Sequence, residues 1–124
     1  MESPSDTPTK KVAFLSMVSP GDTPRLETLL AYSLMARHMD YETKIFFALD
    51  SGLVLKRPIH EKLDAKLKAR LQECVEAGVQ LEVCSESSRK FNIPPEDLIP
   101  GVVIRGIVSF FVFAEQADIN FSWS

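Results

Sequence analysis

The chain has 124 residues, 45% apolar and 25% charged, the composition of one globular domain whose core needs no disulfide or structural metal. Fourteen Lys and Arg against seventeen Asp and Glu give a formal net charge of −3. That balance speaks against non-specific nucleic-acid binding and against an anionic membrane surface as partner.

Residues 1–10 hold two Pro, two Ser and two Thr, with Met1 the one apolar residue. They read as a disordered tail, neither signal peptide nor transit peptide, and leave residues 11–124 as a single domain in the cytoplasm. Lys11–Val18 is nearly continuous apolar sequence, the pattern of a strand buried on both faces. Ser19-Pro20-Gly21-Asp22-Thr23-Pro24 is a turn cluster, with Thr23 expected to cap a helix that begins at Pro24. Leu26, Leu29, Leu30, Leu34 and Met35 then recur at helical spacing between Arg25 and Met39. Thr43–Leu49 reads as a second strand, broken by Asp50-Ser51-Gly52.

A second helix is expected over His60–Glu76, with Leu63, Leu67, Leu71, Cys74 and Val75 on one stripe and Gly78 as a left-handed cap. Val79–Val83 is a third strand, and Cys84–Phe91 a loop entering one or two helical turns. A Pro-rich loop over Asn92–Gly101 leads to a fourth strand, Val102–Ile104. Gly106–Ala117 is a helix apolar nearly all round, and Asp118–Trp123 a fifth strand. The longest apolar run, Ile107–Ala114, has eight residues, far below the ~18 of a membrane helix. The alternation of strands and helices implies an α/β fold with a parallel sheet. A helix with no polar face needs cover on all sides. Part of it, or the aromatic strand with Phe121 and Trp123, is therefore expected to form a subunit interface.

In such folds ligands sit beyond the carboxyl ends of strands, here Ser19–Thr23, Asp50–Gly52, Cys84–Ser88 and Arg105-Gly106. Cys84 is the leading candidate nucleophile. It follows the third strand and meets the first turn of a helix, where free backbone N–H groups favour a thiolate. Ser85, Ser87 and Ser88 follow it. Arg89 and Arg105 add positive charge, and Glu86 opposes it. Cys84 reads equally as a small buried core residue. Cys74 lies on the apolar stripe of the second helix and reads as core. Nothing local positions a Cys74–Cys84 resolving pair. His60, at a helix start beside Glu61, is a candidate proton donor or acceptor, whereas His38 reads as structural. Two cysteines and two histidines lack the short spacings of a zinc site. Lys56–Arg70 carries six cations against two acids, a solvated helix face or a docking surface for an acidic partner. No phosphate-loop, dinucleotide or serine-hydrolase motif is present, and Cys84 stands where a response regulator needs an acidic acceptor.

Taken in order, several segments resemble the DsrE/DsrF-like family of small sulfur-relay proteins. The opening strand and helix lead to an apolar strand that ends at Asp50-Ser51-Gly52. A Gly78-Val79 turn is followed by a strand ending in Cys84, a Ser a few residues on, and the loop Glu96-Asp97-Leu98-Ile99-Pro100-Gly101-Val102. The resemblance covers about residues 11–122. It implies a three-layer α/β/α fold with a five-stranded parallel sheet, and assembly into homo-trimers or hexamers. It also implies a persulfide on Cys84 exchanged with a small sulfur-carrier protein, without metal or organic cofactor. The supporting set would be Ser85, Ser87, Ser88, Arg89, Arg105, Asp50 and His60. The alternative is a non-catalytic oligomeric binding or scaffold subunit of the same fold, with Cys84 as a packing residue.

Overall fold

The structure, a computed structural model, describes residues 9–124. Of the tail expected over 1–10, residues 1–8 lie outside the described residues, and Thr9 and Lys10 are exposed and irregular. Five strands form one sheet: β1 (Lys11–Ser16), β2 (Glu42–Phe47), β3 (Gln80–Cys84), β4 (Val102–Arg105) and β5 (Ile119–Trp123). All pairings are parallel, in the order β4-β3-β2-β1-β5, so β1, β2 and β3 are interior and β4 and β5 are edges. The expected α/β class, the five-stranded parallel sheet and its layers of helices are all present.

The helices are α1 (Thr23–His38), α2 (Arg57–His60), α3 (Ala65–Ala77), α4 (Ser85–Lys90) and α5 (Ile107–Gln116). α1 packs on α3, and together they cover one face of the sheet through Leu26, Leu29, Leu30, Leu67 and Leu71 against Val12, Phe14, Ile45, Phe47, Leu81 and Val83. On the other face α5 seats Phe110 and Phe113 against Ala13, Phe46 and Cys84. Strand residues alternate between these two clusters, as the period of two requires. Continuous apolar runs such as Lys11–Val18 are thus a sheet filled from both sides.

Several local readings change. Asp22, not Thr23, caps α1: its carboxylate accepts from the Arg25 N–H and also holds the Arg25 guanidinium. The Asp side chain reaches the third orphan N–H, which leaves Thr23 and Pro24 as the first helical residues. The helix expected over His60–Glu76 is two. Pro58 favours a single turn ending at His60, and Asp64 caps a fresh start at Ala65, so Leu63 falls between them. Met35 belongs to the spacing of α1 but not to its core, being 61% exposed. Asp50–Gly52 lies within a 3₁₀ segment, Leu49–Leu55, and not in a simple break. There Gly52 lets the chain run against β3, since a Cβ would sit 3.0 Å from Val83 Cγ1. Gly78 does end α3 in the left-handed region, at φ 93°.

One feature of the α5 face carries no signal in the sequence. Lys44 on β2 and Glu82 on β3 form an ion pair with Nζ–Oε2 at 3.1 Å, their side chains 8% and 6% exposed. The ammonium also stands 4.5 Å above the Phe113 ring. The other carboxylate oxygen, Oε1, is buried without a partner among the described residues. Removing one member of such a pair strands a charge in low dielectric, whereas removing both does not. Lys44→Met should therefore cost about 3–5 kcal/mol in urea denaturation, and Lys44→Met/Glu82→Leu should recover most of that loss.

Candidate functional site

Cys84 is the last residue of β3 and the residue from which α4 starts, with φ −59° and ψ 129°. Extended backbone at that junction turns the chain out of the sheet plane. The side chain then lies on the α5 face, 9% exposed, beside Phe46 and Phe110. A pocket of about 240 Å³ reaches it from the carboxyl end of the sheet. Ala48 and Leu49 wall it from the end of β2, Ser87, Lys90 and Phe91 from α4 and its end, and Ile107 from the start of α5. Glu86 and Lys90 sit one helical turn apart and put one charge of each sign at the rim.

Leu49 holds a left-handed φ of 56°, which a side chain of its size rarely adopts. That conformation turns the chain from β2 into the 3₁₀ segment while leaving Leu49 half in solvent at the pocket mouth. Strain of this kind is retained where surrounding structure over-determines it.

The residues expected around Cys84 divide. Ser87 is buried and lines the pocket. Ser85 is half-buried in the first turn of α4 and close to Gly106, where a Cβ would meet its Oγ at 3.7 Å. Ser88 turns its hydroxyl to the Ile93 carbonyl at 2.6 Å, pinning the loop after α4. Arg89 is exposed and does not line the pocket; Lys90 does. Arg105 stands opposite Cys84 in the β3–β4 register, with its guanidinium exposed and donating to the Ile104 carbonyl. Asp50 is half-buried in the 3₁₀ segment outside the lining. His60, on α2, also lies outside it. Burial holds its imidazole below the ordinary value, opposed by a backbone hydrogen bond at Val54, and Nδ1 is buried without a partner among the described residues. The cations of Lys56–Arg70 are partly occupied: Lys56 Nζ donates to Asn92 O at 2.7 Å and Arg57 to Glu96 O at 2.8 Å.

Lys90 and Phe91 follow Cys84 at helical spacing, six and seven residues on, and that period was the available signal for them. Leu49 and Ile107 arrive from other strand ends and have no local signal. Among the described residues no cluster of three or more metal-ligating side chains occurs. Nor is any helix there long and apolar enough to cross a membrane.

Cys74 is a different kind of thiol. It is fully buried in the α1–α3 core, with Sγ 3.6 Å from Leu30 O and 3.8 Å from Ser33 Oγ. Burial pushes it up from 9.0 to about 11, only partly offset by the Ser33 hydroxyl. It belongs to the cluster on one face of the sheet and Cys84 to the cluster on the other. The sheet itself separates them, so they are not a resolving pair.

The DsrE/DsrF-like family matches residues 10–122 of this chain. Among solved structures, the ychN protein from E. coli is similar at TM-score 0.81 and 17% identity, over 93% of this chain and 100% of that one. MTH1491 from Methanobacterium thermoautotrophicum, a protein of unknown function, is similar at TM-score 0.68 and 21% identity, over 90% and 98% of the two chains. BT1422 from Bacteroides thetaiotaomicron, also of unknown function, gives TM-score 0.67 and 15% identity over 91% and 94%. At these identities the likeness is one of fold. No curated protein matches at a significant level.

Two measurements follow from the two thiols. Native alkylation at mildly alkaline pH should label Cys84 and spare Cys74 until the protein unfolds. Leu49→Gly, which suits the left-handed backbone, should speed Cys84 labelling severalfold with little change in stability. Because folding raises the Cys74 value, its contribution is complete below 9.0 and is lost as pH climbs towards about 11. The stability gap between wild type and Cys74→Ala should therefore narrow across that window in pH-resolved denaturation.

Proposed function

The chain belongs to the DsrE/DsrF-like family, and from that premise we propose that it is a sulfur-relay protein whose working group is the Cys84 thiol. The observation that carries the reading is the position of Cys84: at the carboxyl end of an interior-facing strand, at the floor of a pocket open from outside. Family membership is consistent with sulfur relay at the level of the family.

The proposed chemistry needs one thiol and no cofactor. The Cys84 thiolate attacks the outer sulfur of a donor persulfide. A sulfur–sulfur bond forms to Cys84 as the donor's sulfur–sulfur bond breaks, and the donor leaves as a thiolate. In the second step the thiolate of a small sulfur-carrier protein attacks the outer sulfur on Cys84, and Cys84 leaves as the thiolate. Each step is an exchange with no net oxidation. The apolar wall of Leu49, Phe91 and Ile107 would limit water around the bound sulfur, and Ser87 and Lys90 offer donors to the charged form. Only an acceptor group that fits the narrow mouth beside Leu49 would reach the thiol.

Incubation with a persulfide donor, followed by mass spectrometry, should add about 32 Da to Cys84. Cys74→Ala should keep the adduct, and Cys84→Ser should lose it. A folded protein whose Cys84 takes no sulfur and resists alkylation would instead be a non-catalytic binding or scaffold subunit, with Cys84 as packing.

A further inference from the structure

Glu86 and Lys90 both line the Cys84 pocket from α4, and both are exposed. Four residues apart with the acid first, they have the spacing at which helical side chains of opposite charge pair. Here they stay apart: neither has an ion-pair partner among the described residues. The mouth of the pocket thus offers one free carboxylate and one free ammonium. Leu49, Phe91 and Ile107 form the apolar wall between that mouth and the thiol. At about 240 Å³ the space is smaller than the roughly 300–1,000 Å³ of sites for drug-sized ligands, so its occupant is small. A simple anion gains from Lys90 and loses to Glu86, whereas a ligand carrying both charges close together gains from each.

We propose that the sulfur donor at Cys84 is the persulfide of a small free α-amino acid, with cysteine persulfide the member of that class that fits. Its ammonium pairs with Glu86 and its carboxylate with Lys90 across the mouth. Its methylene lies along the apolar wall, and its outer sulfur points down at Sγ of Cys84. The Cys84 thiolate attacks that sulfur. A sulfur–sulfur bond forms to Cys84 as the donor's breaks, the proton stays on the outer sulfur, and free cysteine leaves as its thiolate. The exchange needs no oxidant or reductant. A peptide or protein persulfide lacks this handle, because amides replace both charges on its cysteine. The transfer step rests on the relay reading of Cys84, whereas recognition of the amino acid at the rim stands apart from it.

Rates of sulfur uptake by Cys84, read by mass spectrometry, should separate four donors. L-cysteine persulfide should react at least about tenfold faster than the persulfides of 3-mercaptopropionate, cysteamine and glutathione. The first of these lacks the ammonium, the second lacks the carboxylate, and the third carries amides in place of both. Glu86→Gln should bring the L-cysteine and 3-mercaptopropionate persulfides to similar rates. Lys90→Met should do the same for the L-cysteine and cysteamine persulfides, and both variants should keep the wild-type circular dichroism. Binding is read separately from transfer. Cys84→Ser should bind S-methylcysteine, with saturable shifts of the Glu86 and Lys90 amide NMR signals, and should not bind 3-(methylthio)propionate. Equal rates for the four donors, or no binding of S-methylcysteine, overturn the proposal and leave sulfur relay at Cys84 standing. A wild type that takes sulfur from none of them, while Cys84→Ser binds S-methylcysteine, overturns the relay reading and the donor assignment with it, and leaves an amino-acid site.

Discussion

A parallel sheet has to be covered on both faces, because its strands are apolar on both and its backbone leaves no face for water. This chain meets that requirement unevenly. Two long helices, α1 and α3, cover one face and bury an uninterrupted apolar cluster. One ten-residue helix, α5, covers the other. It reaches β1 and β2 with Phe110 and Phe113 but leaves β4 partly open, where Val103 is 41% exposed. The buried charges of the sheet, Lys44 and Glu82, lie on this thinner face. Lys44 and Glu82 pair there because two adjacent strands bring them side by side, and the Phe113 ring shields the ammonium from above. Each charge is tolerable because the other is present.

The same asymmetry places the two thiols in different chemical worlds. Cys74, on the well-covered face, is enclosed by Leu30 and Ser33 and held as a thiol by burial. Cys84, on the thinner face, lies where the sheet ends and the chain must turn into α4. Strand ends are where a parallel sheet stops protecting its own backbone and side chains, so pockets collect there. Here the pocket is built by three chain reversals, after β2, after β3 and after β4. The left-handed backbone of Leu49 brings the first of them to the mouth.

A helix as apolar as α5 covers more than its own sheet asks of it. Its inner half is spent on the core, and its outer half leaves Val108, Phe111 and Val112 exposed. The groove beside β5 is a second gap in the cover, a place where α1 does not fully cover the edge of the sheet. The thiol pocket uses only the very start of α5, at Ile107.

The fold was legible in the sequence because its signals are local. Periodicity of two and of 3.6 residues, an apolar run filled on both faces, and Gly78 after α3 all express themselves within a dozen residues. They located every strand of the sheet, and the end of β3 marked Cys84 as the thiol at a strand terminus. Where these readings slipped, a second local signal competed with the first. Pro58 and Asp64 split one periodic stripe into two helices, and Asp22 outreached Thr23 as a cap. Tertiary structure alone decided which residues meet across strands. It set Lys44 beside Glu82, closed Leu49 and Ile107 around Cys84, put the sheet between the two cysteines, and turned Met35 outward from a stripe that reads as core. Those outcomes depend on strand order and on how much of each face its helices cover. Both are settled by contacts between residues far apart in the chain, which no local period encodes.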